Sequence, residues 1–230
     1  MNILLTGASR GIGYDTVVAL AKNPANKLIA LSRNKTKLEK LEKAVAPHKI
    51  QLLQLDITDF DEIYLTSALS EIKSIDVLIN NAGLLINKPF SELKITDWIN
   101  MFEVNVFGVV RLIHVLLPKL KASSKAHILN ISSMGGMQGS SKFPGLSAYS
   151  SSKAALINLT ECLAEEFKED NISVNCFALG AVQTEMLDEA FPGYKAPVTS
   201  EEMANYISWF ALNGHHFHNG KIIPVAVSTP

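Results

Sequence analysis

Residues 2–6, Asn-Ile-Leu-Leu-Thr, make an apolar run of strand length, and Gly7-Ala-Ser-Arg-Gly11-Ile-Gly13 comes directly after it with no spacer. A helical pattern (Val17, Val18, Leu20, Ala21) comes next. Strand, glycine turn and helix in that order are the start of a βα unit, which constrains the rest of the chain strongly. Small residues let the backbone approach a pyrophosphate, and a helix start adds unpaired N–H groups and partial positive charge. Gly7, Ser9, Arg10, Gly11, Ile12 and Gly13 are therefore predicted to hold the phosphates of a dinucleotide. The plainer reading is a tight turn between packed elements. The spacing is Gly-x-x-x-Gly-x-Gly, which differs from the more common Gly-x-Gly-x-x-Gly fingerprint.

The chain beyond the turn supports the first reading. Continuous apolar runs recur at 27–32, 50–55, 75–79, 126–131, 172–177 and 221–227, as expected of strands covered on both faces. Helical patterns lie at 11–22, 35–46, 59–73, 97–117, 148–168 and 200–212. The prediction is an α/β fold, a Rossmann-type doubly wound sheet of seven parallel strands with helices on both faces. At 230 residues, with no composition break or repeat, the chain suits a single domain spanning 1–230. Ligands of such sheets bind beyond the carboxyl ends of the strands.

Composition narrows the partners. A formal charge of -1 offers no footprint for nucleic acid. Neither a membrane-length apolar stretch nor a signal peptide is expected, so a cytoplasmic location is. Cys162 and Cys176 fall in a helical and a strand pattern and are predicted to be reduced and buried. His215, His216 and His218 could bind a metal, but no nearby Cys or carboxylate completes a site, and a solvated loop is the simpler reading.

Tyr149 and Lys153 are one helical turn apart in Ser147-Ala-Tyr-Ser-Ser-Ser-Lys153 and share a helix face. A phenol beside an ammonium is a tunable proton donor. Free tyrosine titrates near ~10, so acid/base work at neutral pH needs a fall of about 3 units, or ~4 kcal/mol. One ammonium ~4–5 Å away contributes roughly 3–4 kcal/mol at an effective dielectric of ~20. The same spacing also occurs on solvated helix faces.

Thr6-Gly-Ala-Ser-Arg-Gly-Ile-Gly13, Asn80-Asn-Ala-Gly83 and Tyr149-x-x-x-Lys153 stand in one chain. In that order and at those distances they resemble the short-chain dehydrogenase/reductase superfamily, from Asn2 to about Val227. The resemblance implies an oxidoreductase that interconverts a small-molecule carbonyl and alcohol. Tyr149 would be the general acid/base and Lys153 would lower its pKa and hold ribose hydroxyls. Ser133, at the end of a strand, would hydrogen-bond the substrate oxygen, with Ser132 as the substitute. Asn105 would hold a water that links Lys153 to solvent. Its alternative is a buried amide satisfied by neighbouring backbone. Asn80, Ala82 and Gly83 would support the central strands and line the ribose. Asp56 resembles the acid that meets the adenine amino group, or it is a plain helix cap.

The resemblance also implies that Gly180, Val182 and Thr184 close over the nicotinamide, with 183–198 as a short substrate lid. Leu179 stands where the family usually has proline, and the segment between Ser133 and Tyr149 is slightly long. NAD enzymes usually carry an acid near the end of the second strand. This chain has Leu31-Ser-Arg-Asn34 there, so Arg33 and Arg10 are predicted to clamp the 2′-phosphate of NADP(H). A 3-oxoacyl-thioester reductase is the alternative enzyme, although Val225-Ala-Val-Ser-Thr-Pro230 departs from that subfamily's ending. A non-catalytic NADP(H)-sensing regulator is the alternative of another class. Apolar positions on the Tyr149 helix span about 220°, more than one sheet covers, so a homodimer or homotetramer is expected.

Overall fold

The structure, a computed structural model, describes residues 1–227. The final three residues of the departing C-terminal stretch lie outside them. The chain opens with β1 (Asn2–Thr6), α1 (Gly11–Ala21), β2 (Lys27–Ser32), α2 (Lys35–Ala44), β3 (Ile50–Gln54), α3 (Glu62–Ala68) and β4 (Val77–Asn80). It continues with α4 (Ile95–Phe102), α5 (Gly108–Lys121), β5 (Ala126–Ser133), α6 (Ser147–Glu166) and β6 (Ile172–Leu179). The last elements are β7 (Val182–Gln183), α7 (Glu185–Ala190), β8 (Val198–Thr199), α8 (Ser200–Asn213) and β9 (Ile222–Val225).

Seven strands pair in parallel in the order β3-β2-β1-β4-β5-β6-β9. This is the predicted Rossmann-type sheet. Strand order reverses between β1 and β4, which opens a crevice at their carboxyl ends. Alternation along β1 sends Ile3 and Leu5 to one face and Leu4 to the other. The first pair joins Val17, Leu38, Ile207 and Phe210, from α1, α2 and α8. Leu4 joins Leu65, Leu112, Leu116 and Leu156, from α3, α5 and α6. Strands buried on both sides explain why the apolar runs are unbroken.

Several boundaries moved for identifiable reasons. The pattern at 59–73 yields a helix only from Glu62 to Ala68, because Asp61 caps it by accepting from the N–H of Ile63. The helix predicted at 97–117 runs from Ile95 to Lys121, and its Glu103–Phe107 turn is π-helical. It passes Pro118, whose missing N–H leaves one carbonyl of the previous turn undonated rather than ending the helix. By length and composition, 95–121 is long and apolar enough to cross a membrane, contrary to the expectation of no such stretch. Here Val109, Leu112, Ile113, Leu116 and Leu120 are buried beneath the sheet, so it is a core helix.

A second, two-stranded sheet, β7 with β8, was not foreseen. Pairs this short carry no periodicity to read. Cys176 is buried as expected, but Cys162 is exposed on α6. The histidine cluster also differs from a solvated loop. His215 is buried, with its ring 5.4 Å from that of His127 and 4.2 Å from that of His216. Among the described residues no group of three His, Cys, Asp or Glu side chains could hold a metal ion. His127 is neutral in this setting, since burial pushes its pKa down to about 4.

Candidate active site

The crevice is a cleft of about 860 Å³ walled by the loops after β1, β2, β3, β4, β5 and β6. Its floor is the glycine turn. Gly7 has φ +73°, a conformation that disfavours a side chain. A Cβ on Gly13 would stand 2.3 Å from the Gly7 carbonyl and 2.4 Å from Asn81 Nδ2, so only glycine lets the loop fold back this closely. Arg10 at the N-cap of α1 is extended and caps nothing with its side chain. The first turn of α1 thus faces the cleft with N–H groups free of side-chain acceptors, a setting suited to a pyrophosphate.

Gly7, Ser9, Arg10, Gly11, Ile12, Gly13, Arg33 and Asp56 all line this cleft, as do Ala82, Gly83, Gly180, Val182 and Thr184. Asn80 does not. Its side chain is buried and donates to Asn130 Oδ1 at 2.8 Å, and Asn130 in turn donates to Thr160 Oγ1 at 2.9 Å. Asn81 is the residue that faces the loop, donating from Nδ2 to the Thr6 carbonyl at 3.1 Å. Neighbouring residues at a strand end point to opposite sides, a rule that could have separated the two asparagines.

Asp56 lines the cleft and, since Asp61 caps α3, is itself no helix cap. One carboxylate oxygen accepts from the N–H and hydroxyl of Thr58, and the other lies 3.5 Å from Arg33 Nη1. Partial burial pushes its pKa up, but the Thr58 hydrogen bonds and the Arg33 charge outweigh this and hold it below the usual value. Gly180 donates its N–H to the Val225 carbonyl at 2.9 Å. The turn therefore keeps its place although Leu179 replaces the family's proline.

Ser133, Tyr149 and Lys153 share the wall between β5 and α6. Ser133 stands near the Tyr149 hydroxyl and lowers its pKa, while its own Oγ accepts from the Gly135 N–H at 3.2 Å. Ser132 is not a substitute for it, since its hydroxyl is buried and donates to the Lys153 carbonyl at 2.8 Å. Lys153 is 4% exposed. Its ammonium donates to the Ile131 carbonyl at 2.9 Å and sits 5.8 Å from the centre of the Tyr149 ring.

The ammonium alone does not bring the phenol into the neutral range, because burial acts on both groups. Desolvation pushes the Tyr149 hydroxyl up to about 12, only partly offset by Ser133, and pushes Lys153 down to about 8.

Asn105 lies in the π-helical turn, fully buried. Its Oδ1 accepts from Leu84 N–H at 2.8 Å, and its Nδ2 donates to the Leu84 carbonyl and to Ser152 Oγ, each at 2.9 Å. A Cβ built on Gly83 would stand 3.4 Å from Asn105 Oδ1 and 3.5 Å from Lys153 Nζ. Those two polar atoms flank the same point. Ser152, which the sequence reading missed, ties Asn105 to the helix that carries Tyr149.

The cleft's outer end is apolar, with Met134, Phe143, Leu146, Leu187, Phe191 and Tyr194. The extra residues between Ser133 and Tyr149 are gathered by Lys142, whose Nζ donates to the Gly135 carbonyl at 2.8 Å and to Ser140 Oγ at 2.9 Å.

A family model described as short chain dehydrogenase matches residues 1–195. The chain is similar to an NADP-dependent 3-hydroxy acid dehydrogenase of Schizosaccharomyces pombe, 34% identical over 226 residues covering 91% of this chain and 86% of that one. It is similar to a 3-oxoacyl-acyl-carrier-protein reductase of Thermotoga maritima, 30% identical over 236 residues covering 96% and 94%. Among solved structures, a short chain dehydrogenase of Shigella flexneri complexed with NADP superposes with a TM-score of 0.87 at 27% identity, covering 97% of this chain and 95% of that one.

Proposed function

We propose that this chain, which belongs to the short-chain dehydrogenase family, is an NADP(H)-dependent carbonyl reductase or alcohol dehydrogenase. The observation that carries this reading is the Ser133–Tyr149–Lys153 wall facing the glycine turn across one cleft. Bound NADPH would supply the hydride, held by the glycine turn, Asp56, Ala82, Gly83, Gly180, Val182 and Thr184. Tyr149 donates its proton to the substrate oxygen while Ser133 hydrogen-bonds that oxygen and steadies the charge developing there. Lys153 holds positive charge next to the ring, and Asn105, its amide held by the Leu84 backbone, would hold the water that links Lys153 to solvent.

The apolar outer end suits an uncharged carbonyl compound, with 183–198 as its lid. The relative from Thermotoga keeps 3-oxoacyl-thioester reduction as a second reading. A regulator without turnover would have no use for the intact Ser133, Tyr149 and Lys153 set. A screen of carbonyl compounds following NADPH absorbance tests the reaction.

Arg33 carries the cofactor choice. Its guanidinium stands at the turn where an acid would otherwise meet the ribose 2′-hydroxyl. Charge-assisted hydrogen bonds contribute about 1.5–3 kcal/mol each, so NADPH should bind at least ~10-fold more tightly than NADH. Fluorescence titration of both cofactors checks this. Equal affinities, or an undiminished preference in Arg33→Ala, would remove the assignment.

The assembly is proposed to be a homodimer or homotetramer. Ile95, Ile99 and Phe107 are 73%, 52% and 46% exposed, and Ala155, Ile157 and Leu159 on α6 are only partly covered. So much apolar surface on two adjoining helices is expected to be shared with a second copy. Sedimentation at micromolar concentration should give at least twice the 25.1 kDa chain mass, and a monomer would overturn it.

A further inference from the structure

We propose that Glu185 and Glu189 of the lid helix occupy the place of the cofactor's 2′-phosphate, and that Lys37 is a further residue that reads that phosphate. The inference rests on the NADP(H) reading above. Arg10 Nη1 meets Glu185 Oε2 at 3.1 Å and Glu189 Oε1 at 2.7 Å, and Lys37 Nζ reaches the same Glu185 oxygen at 3.1 Å. Two cations from separate elements, the glycine turn and the first turn of α2, thus converge on one anionic oxygen from a third. Asn34 caps α2 by accepting from the Lys37 N–H at 2.9 Å, which fixes where Lys37 begins. Arg33 stands on the same turn, and Arg10, Arg33, Lys37 and Glu185 all line the cleft.

A phosphate cannot take these cations while two carboxylates stay on them, since like charges at contact range repel strongly. Its arrival must move the glutamates. Both belong to α7, which Thr184 caps at its start, and a Cβ on Gly11 would lie 3.3 Å from the Thr184 methyl. Displacing them therefore loosens α7 beyond Thr184, which keeps its place beside Gly11. A cofactor without the 2′-phosphate leaves the latch closed. Selectivity for NADP(H) then has two sources, attraction of the phosphate and loosening of the lid helix, and cofactor binds before substrate. The pairs are between solvent-exposed side chains, so each is weak and reversible, as a latch requires.

The test uses 2′,5′-ADP, which carries the phosphate without nicotinamide, and ADP, which lacks it. Calorimetry at low ionic strength would compare wild type, Glu185→Gln with Glu189→Gln, and that double variant with Lys37→Met added. The double variant should bind 2′,5′-ADP about three- to tenfold more tightly, with ADP affinity unchanged. Adding Lys37→Met should reverse the gain. Hydrogen exchange of the 185–190 amides in wild type should quicken with 2′,5′-ADP and not with ADP.

Unchanged or weaker 2′,5′-ADP binding in the double variant overturns the latch. If wild type still prefers 2′,5′-ADP, the NADP(H) reading survives that failure. A preference that emerges only in the double variant supports the latch and shows that the glutamates mask the site. No preference in any variant sinks both.

Discussion

Replacing Tyr149 by phenylalanine is expected to lower turnover by roughly 10²–10⁴-fold while NADPH affinity and the thermal midpoint barely move. The hydroxyl is the only group lost. It faces Ser133, and the ring that remains keeps its place beside Lys153, whose ammonium lies 5.8 Å from the ring centre. At most one weak polar contact disappears, which costs about 1 kcal/mol or less, and a partly desolvated hydroxyl is no longer held in the wall, which offsets part of that. Steady-state rates on a substrate from the screen, a cofactor titration and a melt separate the effects. A variant retaining more than a tenth of the wild-type rate would mean that the proton comes from elsewhere.

The parts of the fold that were legible from sequence are those in which local pattern and global packing demand the same thing. The strands around β1 are buried on both faces, so Ile3, Leu4 and Leu5 must all be apolar, and the run announces itself. Where tertiary contacts decide, the pattern misled. Nothing in Phe102-Glu-Val-Asn-Val-Phe-Gly108 shows that the helix widens to a π-turn. It does so where Asn105 turns its amide to the backbone of Leu84. The β7–β8 pair has two residues on each side, too few for any period.

The site divides the same way. Residues that need a particular backbone, such as Gly7 and Gly13, or a particular spacing, such as Tyr149 and Lys153, were found directly. Asn80 was chosen over Asn81 because the motif was read as a unit and the strand's alternation was not applied to it. Lys37, Glu185 and Glu189 escaped notice because a charge on a polar face carries no local sign of its partner, here 148 residues away along the chain for Lys37 and Glu185. The burial of Lys153 and the partial burial of Tyr149 were also out of reach, and desolvation reverses the direction in which the phenol is pushed.

That burial leads to the second large effect, which is that Lys153→Met should abolish detectable turnover and yet stabilise the protein. Lys153 is 4% exposed, and among the described residues its ammonium donates only to the Ile131 carbonyl. Desolvation holds its pKa at about 8 against an ordinary value of 10.5. The unfolded chain therefore binds the proton more readily than the fold does between those values. Stability attributable to this group rises with pH across that window and is lowest below it. Near pH 7 a shift of that size corresponds to about 3 kcal/mol of destabilisation. Methionine removes the charge and keeps the length of the side chain. Leaving the Ile131 carbonyl without this donor costs about 1–2 kcal/mol of the gain, so a net of roughly 1–2 kcal/mol and a midpoint higher by roughly 2–6 °C are expected. The advantage over wild type should be largest below pH 8, narrow through the window and reverse before pH 10.5, the ordinary lysine value, because the lost hydrogen bond does not titrate while the charge penalty does. Melts of both proteins across pH 7–10.5 provide the check. A variant no more stable than wild type at pH 7, or a gap that does not narrow with pH, would show that the fold bears no such cost for this charge. If the gap behaves as described, the chain keeps a destabilising ammonium at the one place where it faces Tyr149, as expected of a group retained for chemistry.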